Sequence, residues 1–396
     1  MREMKDSGIS WVGEIPKEWS VWRNKYIFKI TKDIVLPSEN YQLLSLTTTG
    51  IKEKDENDNG GKVPENYDGY QIVKENDLVM CLFDLDCSAV FSGLSPYNGM
   101  ISPAYKVLKV KKRIANEQYY RYWFNYVGSK RFYKQYSKSL RFTLNADEFN
   151  RLFSLLPPLA EQQRIAEFLD RECGKIDGLK ADIQAQIDTL EQYKRSVITE
   201  AVTHGLNPSA PMKDSGIPWV GKTPEYWKVG RIGGLYELRN QKVSDKDFMP
   251  LSVTMKGILP QLETAAKTND GDNRKLVRVG DFAINSRSDR RGSCGISDYD
   301  GSVSLINTIL KPRNRMNAKY YNWLFHTPMF ADEFYKWGHG IVDDLWTTNW
   351  SEMKRISIPL PPIDEQQEIA DYLDNKCAEI EQIIADKKSQ IETLDG

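Results

Sequence analysis

From Ala160 to about His204 one apolar residue recurs every seven, at Leu169, Ile176, Ile183, Leu190 and Val197, with Ile165, Ile187 and Ala201 in flanking positions. A heptad interval places these side chains in one stripe along a helix, roughly 65 Å long at about 1.5 Å per residue. Pro157-Pro158 excludes helix before it, and Gly205 followed by Pro208 supplies the stop signal. After Pro361-Pro362 the stripe returns at Leu373, Ile380, Ile384, Ile391 and Leu394, where Asp364 with Gln367 predicts a capping box. A stripe on a long helix needs a cover, and the economical cover is the other stripe, in an antiparallel pair. Gly174 and Gly178, four apart, mark either a close helix approach or two weak helix positions. Elsewhere the pattern is mixed. Asp281–Ile284 reads as a strand, and the aromatics from Tyr119 to Tyr126 read as the buried face of a helix rather than a platform for bases.

The pattern is written twice. Met4–Arg23 and Met212–Arg231 share 13 identities in 20 aligned positions, including Asp6-Ser7-Gly8-Ile9 against Asp214-Ser215-Gly216-Ile217. Leu156–Gln192 and Leu360–Gly396 share 18 in 37, led by Leu156-Pro157-Pro158 and Glu161-Gln162-Gln163 against Leu360-Pro361-Pro362 and Glu365-Gln366-Gln367. Between these anchors the copies diverge, with a faint echo in Ile72–Asp77 against Leu276–Asp281. A period near 200 residues is too long for a solenoid and suits two pseudo-symmetric domains. The expected architecture is mixed α/β: two globular bodies joined by two long antiparallel helices, as a pseudo-two-fold internal repeat. Residues 1–158 form the first body, 159–205 the first helix, 206–362 the second body and 363–396 the second helix. That last helix is the shorter, because Gly396 aligns with Gln192 and nothing matches Tyr193–Val202.

Charge assigns roles to the parts. The formal net charge of −1 gives no global nucleic-acid signal, so a case for DNA rests on local segregation. Ala160–Glu191 holds eight acidic residues against four basic, and Asp364–Asp386 eight against one, so these helices repel DNA and suit protein partners. Lys109–Arg141 instead holds ten basic residues and one acid, Glu117, with nine aromatics interleaved. The five cysteines lack Cys-x-x-Cys spacing, which argues against a disulfide framework or a thiolate zinc site. No stretch approaches the run of about eighteen apolar residues a membrane span needs. A cytoplasmic location is expected.

Asp-Ser-Gly-Ile-x-Trp-x-Gly-x-x-Pro-x-x-Trp opening each copy, paired with Pro-Pro-x-x-Glu-Gln-Gln-x-Ile-Ala opening each helix, resembles the specificity subunits (S, HsdS) of type I restriction-modification systems. The resemblance spans essentially the whole chain. It implies two target-recognition domains, each reading one half of a bipartite double-stranded DNA target. It also implies helices that dock two methylation (M) subunits and set the spacer, with restriction (R) subunits joining in the full complex.

Within the basic segment, Lys130, Arg131, Lys134, Lys138 and Arg141 are the candidate DNA contacts, because Lys and Arg on phosphates give affinity and a few base-edge contacts give sequence choice. In the second body Ser286, Arg287, Arg290 and Arg291 follow the strand in a polar loop, and arginine bidentate to guanine is the commonest specific contact. The alternative is an ordinary surface loop in which Asp289 pairs with an arginine. A second candidate is Trp337-Gly338-His339-Gly340, whose glycines permit a close approach to a ligand and which adds His339 to the set. Leu169, Ile176, Ile183, Leu190, Leu373 and Ile380 are the expected helix-pair packing residues.

Catalytic machinery is not expected. There is no Asn/Asp-Pro-Pro-aromatic motif for a flipped adenine (Asn207-Pro208-Ser209-Ala210 is a near miss), no glycine-rich methyl-donor loop and no phosphate loop for an ATP-driven motor. Asp84, Asp86, Asp343 and Asp344 read as loop or capping residues, and the three histidines lack metal-ligand spacing. No cofactor and no metal are expected. The competing readings are a free-standing DNA-binding regulator and a coiled-coil scaffold with protein-binding ends.

Overall fold

The computed structural model describes residues 2–35, 41–54, 67, 69–139, 141–261, 271–287, 290–313, 316–340 and 346–395. The chain divides into two compact units, 1–178 and 179–396, with the division falling inside the first long helix, Leu159–His204.

Both units are built on the same four-stranded antiparallel sheet. In the first the strand order is Phe28–Thr31, Lys106–Val110, Leu78–Met80, Ser92–Leu94; in the second it is Tyr236–Leu238, Asn307–Pro312, Phe282–Asn285, Cys294–Ile296. One aromatic helix covers each sheet, Glu117–Ser129 and Ala318–Phe325. Both start at an asparagine cap whose side chain accepts from the backbone N–H three residues on, Asn116 from Tyr119 and Asn317 from Tyr320. Of the aromatics expected on the buried face, Tyr119, Tyr120, Trp123 and Phe124 are buried, Tyr122 is half-buried and Tyr126 is exposed; Tyr320, Tyr321, Leu324 and Phe325 form the buried face in the second unit. Their polar tips stay satisfied: the Tyr120 hydroxyl donates to the Leu155 carbonyl (2.8 Å) and the Tyr321 hydroxyl to that of Pro359 (3.4 Å).

The duplicated motifs form the joint between body and helix. Trp19 donates its indole N–H to Glu161 and Trp227 to Glu365, each at 2.9 Å. Gln162 and Gln366 are buried, and each accepts from the backbone N–H of its cap asparagine (2.9 Å) while donating to the carbonyl of Pro157 or Pro361 (2.8 Å). A glutamine in this setting supplies both a donor and an acceptor to backbone groups that have no other route to water.

Inside the second unit the C-terminal part of the first long helix pairs antiparallel with the second, Ile363–Asp395. Lys180 pairs with Asp395 and Lys194 with Glu381, so the register runs in opposite directions along the two helices. Ile187, Ile380 and Ile384 are buried between them, with Ile183, Leu190 and Ile391 alongside. Leu373 lies deeper, in the body's own core with Val197, Ala201 and Val202 from the end of the first helix. Leu169 and Ile176 fall in the first unit, where both are half-buried.

One expectation is corrected and one open alternative is decided. The second helix begins at Ile363, so Asp364 lies in its first turn and not at the cap, and the Gln367 amide donates instead to Asp371 while its carbonyl accepts from Asn317. Nothing lies within 4 Å of where a Cβ would stand on Gly174 or Gly178, so neither marks a close helix approach. No helix among the described residues is long and apolar enough to cross a membrane.

Candidate nucleic-acid interface

In each unit the third strand of the sheet order above runs into a loop that closes one end of the body. That loop is pinned to the segment leading into the last short helix of the body. In the first unit the Leu144 N–H donates to the Leu82 carbonyl (2.8 Å); in the second the Thr348 N–H donates to the Ser286 carbonyl (3.0 Å). The two bonds are equivalent, four residues past the strand start in each copy. Every sequence-based DNA candidate falls at this end of its own unit.

In the first unit the aromatic helix stops at Ser129, and Arg131 turns the chain through the left-handed region (φ 53°) into a 3-10 turn, Phe132–Tyr136. The turn is anchored by Tyr133, fully buried, and by Phe132, which stacks on Trp11 with ring centroids 4.3 Å apart. Anchoring from beneath leaves Lys130, Arg131 and Lys138 exposed. The Lys134 ammonium sits over the Phe142 ring at 4.5 Å. Lys130, Arg131, Lys134, Gln135, Ser137 and Phe142 line a shallow hollow of about 430 Å³. Arg141 differs: its guanidinium donates twice to Asp84 (3.1 and 3.0 Å), which raises its pKa and neutralises its charge locally. Asp84 itself has φ 51°, so the sequence-level reading of it as a loop residue corresponds to a left-handed turn locked by Arg141.

In the second unit the arginine loop and the His339 segment, two alternatives in the sequence, are one surface. Arg287 and His339 both bridge to Thr347, the latter through paired 3.0 Å backbone bonds. The Tyr335 hydroxyl donates to the Arg287 carbonyl (2.9 Å), and Arg291 pairs with Asp332 while lying over the Tyr335 ring. Arg290, Arg291 and His339 are exposed and Arg287 half-exposed. Ser286 is corrected to a framing role, because its hydroxyl is buried and bonded to that of Thr308 at 2.8 Å. Gly338 does serve a close approach, to protein: a Cβ there would stand 2.3 Å from the Trp346 indole nitrogen. Asp289, Asp343 and Asp344 lie outside the described residues.

Sequence reasoning missed a second repeated element. Leu44-Ser45-Leu46-Thr47-Thr48-Thr49-Gly50-Ile51 and Leu251-Ser252-Val253-Thr254-Met255-Lys256-Gly257-Ile258 are equivalent hairpins, and their shared Leu-Ser, Thr, Gly and Ile were a signal available in the sequence. Among the described residues no group of three or more His, Cys, Asp or Glu is placed to hold a metal ion.

The chain is similar to known proteins in both sequence and fold. The family described as "Type I restriction modification DNA specificity domain" matches residues 224–393. A putative type I restriction enzyme MjaX specificity subunit from Methanocaldococcus jannaschii is 23% identical over 421 residues, covering 97% of this chain and 94% of the relative. The MjaVIII specificity subunit of the same organism is 27% identical over 172 residues, 43% of this chain and 38% of that protein. Two solved structures share the fold. One, from work on complex assembly and conformational transition of the type I R-M system, has TM-score 0.68 at 14% identity, covering 96% of this chain and 95% of that one. The other, the HsdS subunit from Thermoanaerobacter tengcongensis, has TM-score 0.50 at 15% identity, covering 95% and 92%. With the duplicated joint, the repeated sheet and the long helices, the chain is similar to type I restriction-modification specificity subunits in sequence, and to the two solved structures in fold over nearly its whole length.

Proposed function

We propose that this chain is the DNA-recognition subunit of a type I restriction-modification complex, in which each body reads one half of a bipartite duplex target. The observation that carries the reading is the contrast between frame and surface. The bond from Trp19 to Glu161 and those of Gln162 to its cap asparagine and proline carbonyl are repeated by Trp227, Glu365 and Gln366. The same end of each body opposes this constancy with different cations on different segments: Lys130, Arg131 and Lys138 around the turn that follows the aromatic helix in one, Arg287, Arg290 and Arg291 in the loop that follows the third strand in the other. A constant frame suits two identical protein partners, and divergent basic ends suit two different half-sites.

In this reading residues 1–158 and 206–362 are the recognition domains, and 159–205 with 363–396 are the helices that dock two methylation subunits and set the spacer. Restriction subunits complete the complex, and methylation and cleavage are the partners' chemistry. The complex works where the chromosome is, in the cytoplasm. The test is to map modified bases in a genome with and without the chain in the presence of its methylation subunits, together with a salt titration of duplex binding. A bipartite methylated motif and a steep salt slope are expected, because phosphate contacts release counterions. Binding to duplex DNA that is indifferent to salt would sink the proposal.

A further inference from the structure

Each unit carries a hairpin whose turn is the same and whose tip is not. In the first, Leu44–Thr47 pairs with Gly50–Glu53; in the second, Leu251–Thr254 pairs with Gly257–Pro260. The Thr47 hydroxyl donates to the Gly50 carbonyl (2.8 Å) and the Thr254 hydroxyl to that of Gly257 (2.9 Å). Gly50 and Gly257 take φ of 110° and 105°, values open to glycine. The roots are equally fixed, with Leu44, Leu46 and Ile51 buried in one unit and Leu251 and Ile258 in the other. Each hairpin lies on a strand glycine that leaves no room for a side chain. A Cβ on Gly93 would stand 2.9 Å from Leu46, and one on Gly295 2.8 Å from the Gly257 Cα.

On these matched scaffolds the two exposed tip residues are Thr48-Thr49 in one copy and Met255-Lys256 in the other. Met255 is 71% exposed. Beside the first tip lies a cleft of about 860 Å³ with a mixed polar and apolar lining that includes Glu75, Arg131 and Arg121, the last paired with Asp170. Arg131 also lines the basic hollow at the candidate interface, so the two features adjoin. In the second unit the strand beneath the hairpin, Cys294–Ile296, follows the arginine loop, and the tip itself lines a cleft of about 1240 Å³ together with Lys319 and His326 of the body and Lys194, Arg195 and Glu381 of the long helices.

From this we infer that the two hairpin tips are DNA-reading elements, Thr48-Thr49 for one half-site and Met255-Lys256 for the other. The inference rests on the bipartite reading above. Partner identity decides against a protein contact here: two copies of one methylation subunit require like surfaces, and these tips are unlike on like scaffolds. The chemistry fits duplex DNA. Threonine offers a hydroxyl to base edges and a methyl to thymine, methionine is among the apolar side chains that wedge between base steps, and lysine meets phosphate or guanine.

The experiment exchanges the tips in the full chain, M255T/K256T and T48M/T49K, leaving Thr47, Gly50, Thr254 and Gly257 in place so that the turns still form. Each variant is assembled with its methylation subunits and presented with a randomised duplex library and a modified-genome map. The expected result is a change of preference of about tenfold or more at one or two positions, confined to one half of the motif and to opposite halves for the two variants. K256A alone is expected to lower the slope of log affinity against log salt by about one. An unchanged motif and slope in variants with wild-type thermal stability overturns the inference, as does loss of methylation-subunit binding in native mass spectra with the motif intact. A wild-type complex that selects no bipartite motif overturns the underlying reading, and the inference with it.

Discussion

Replacing Gln162 with leucine tests whether the duplicated Glu-Gln-Gln motif is a structural joint. The side chain is fully buried and satisfies three backbone groups: it donates to the carbonyls of Ile114 (2.9 Å) and Pro157 (2.8 Å) and accepts from the Asn116 N–H (2.9 Å). Leucine is close in volume, so the cost is the orphaned polar groups and not a cavity. At the low end of about 1–3 kcal/mol for each unsatisfied buried group, the loss is about 3 kcal/mol. For a unit of this size that corresponds to a fall in Tm of roughly 6–12 °C. Because Asn116 caps the aromatic helix, hydrogen exchange in Glu117–Ser129 is expected to accelerate, and with it exchange in the basic turn that follows. Gln163 is the internal control: it is adjacent in the motif but exposed, so Q163L is expected to change stability by no more than about 0.5 kcal/mol. Calorimetry and exchange mass spectrometry on the full chain read both quantities. Equal behaviour of Q162L and Q163L would refute the assignment.

Alanine at Arg287, Arg290 or Arg291 is expected to alter only the half-site read by the second body, weakening binding by about 1–3 kcal/mol at the base concerned and relaxing selectivity there; modification mapping decides it, and an effect on the other half-site would contradict it. Alanine at Lys130, Lys134 or Lys138 is expected to weaken binding across all sequences and to lower the salt slope by about one for each phosphate no longer neutralised, which a titration against duplex DNA measures. Stability of the first unit should fall in acid, because hydrogen bonds from Arg2 chiefly, and then from Trp19, hold the Glu161 carboxyl below the ordinary glutamate range. A depressed folded pKa gives stability that is present above the unfolded value of about 4.3 and lost as pH falls through the folded one, so E161Q should be less stable at pH 7 and flatter below pH 5 in denaturant melts. Inserting four helical residues after Gln186 and after Lys387, which face each other, adds about 6 Å to the helix pair; the preferred spacer should lengthen by one or two base pairs at about 3.4 Å each, and an unchanged optimum in a folded variant counts against the helices as ruler.

What the sequence determined by itself is what repetition and period encode. The heptad of Ile183 and Leu190 against Ile380 specifies a helix pair, because an apolar stripe has one favourable fate. The aromatic spacing of Tyr119, Tyr120, Trp123 and Phe124 specifies a buried helix face for the same reason. The duplication of Trp19, Glu161 and Gln162 declares two equivalent units, although why those residues recur is visible only in the hydrogen bonds they exchange across 142 positions of chain. Tertiary structure alone decided the surface. It joined the Arg287 loop to His339 through Thr347, committed Arg141 to Asp84, withdrew Ser286 beneath Thr308, and set Met255 at the tip of a hairpin. These are contacts between segments distant in sequence, carried by backbone groups and single polar atoms that leave no periodic trace, so local pattern determines which residues are inside and only the fold determines which outside residues meet.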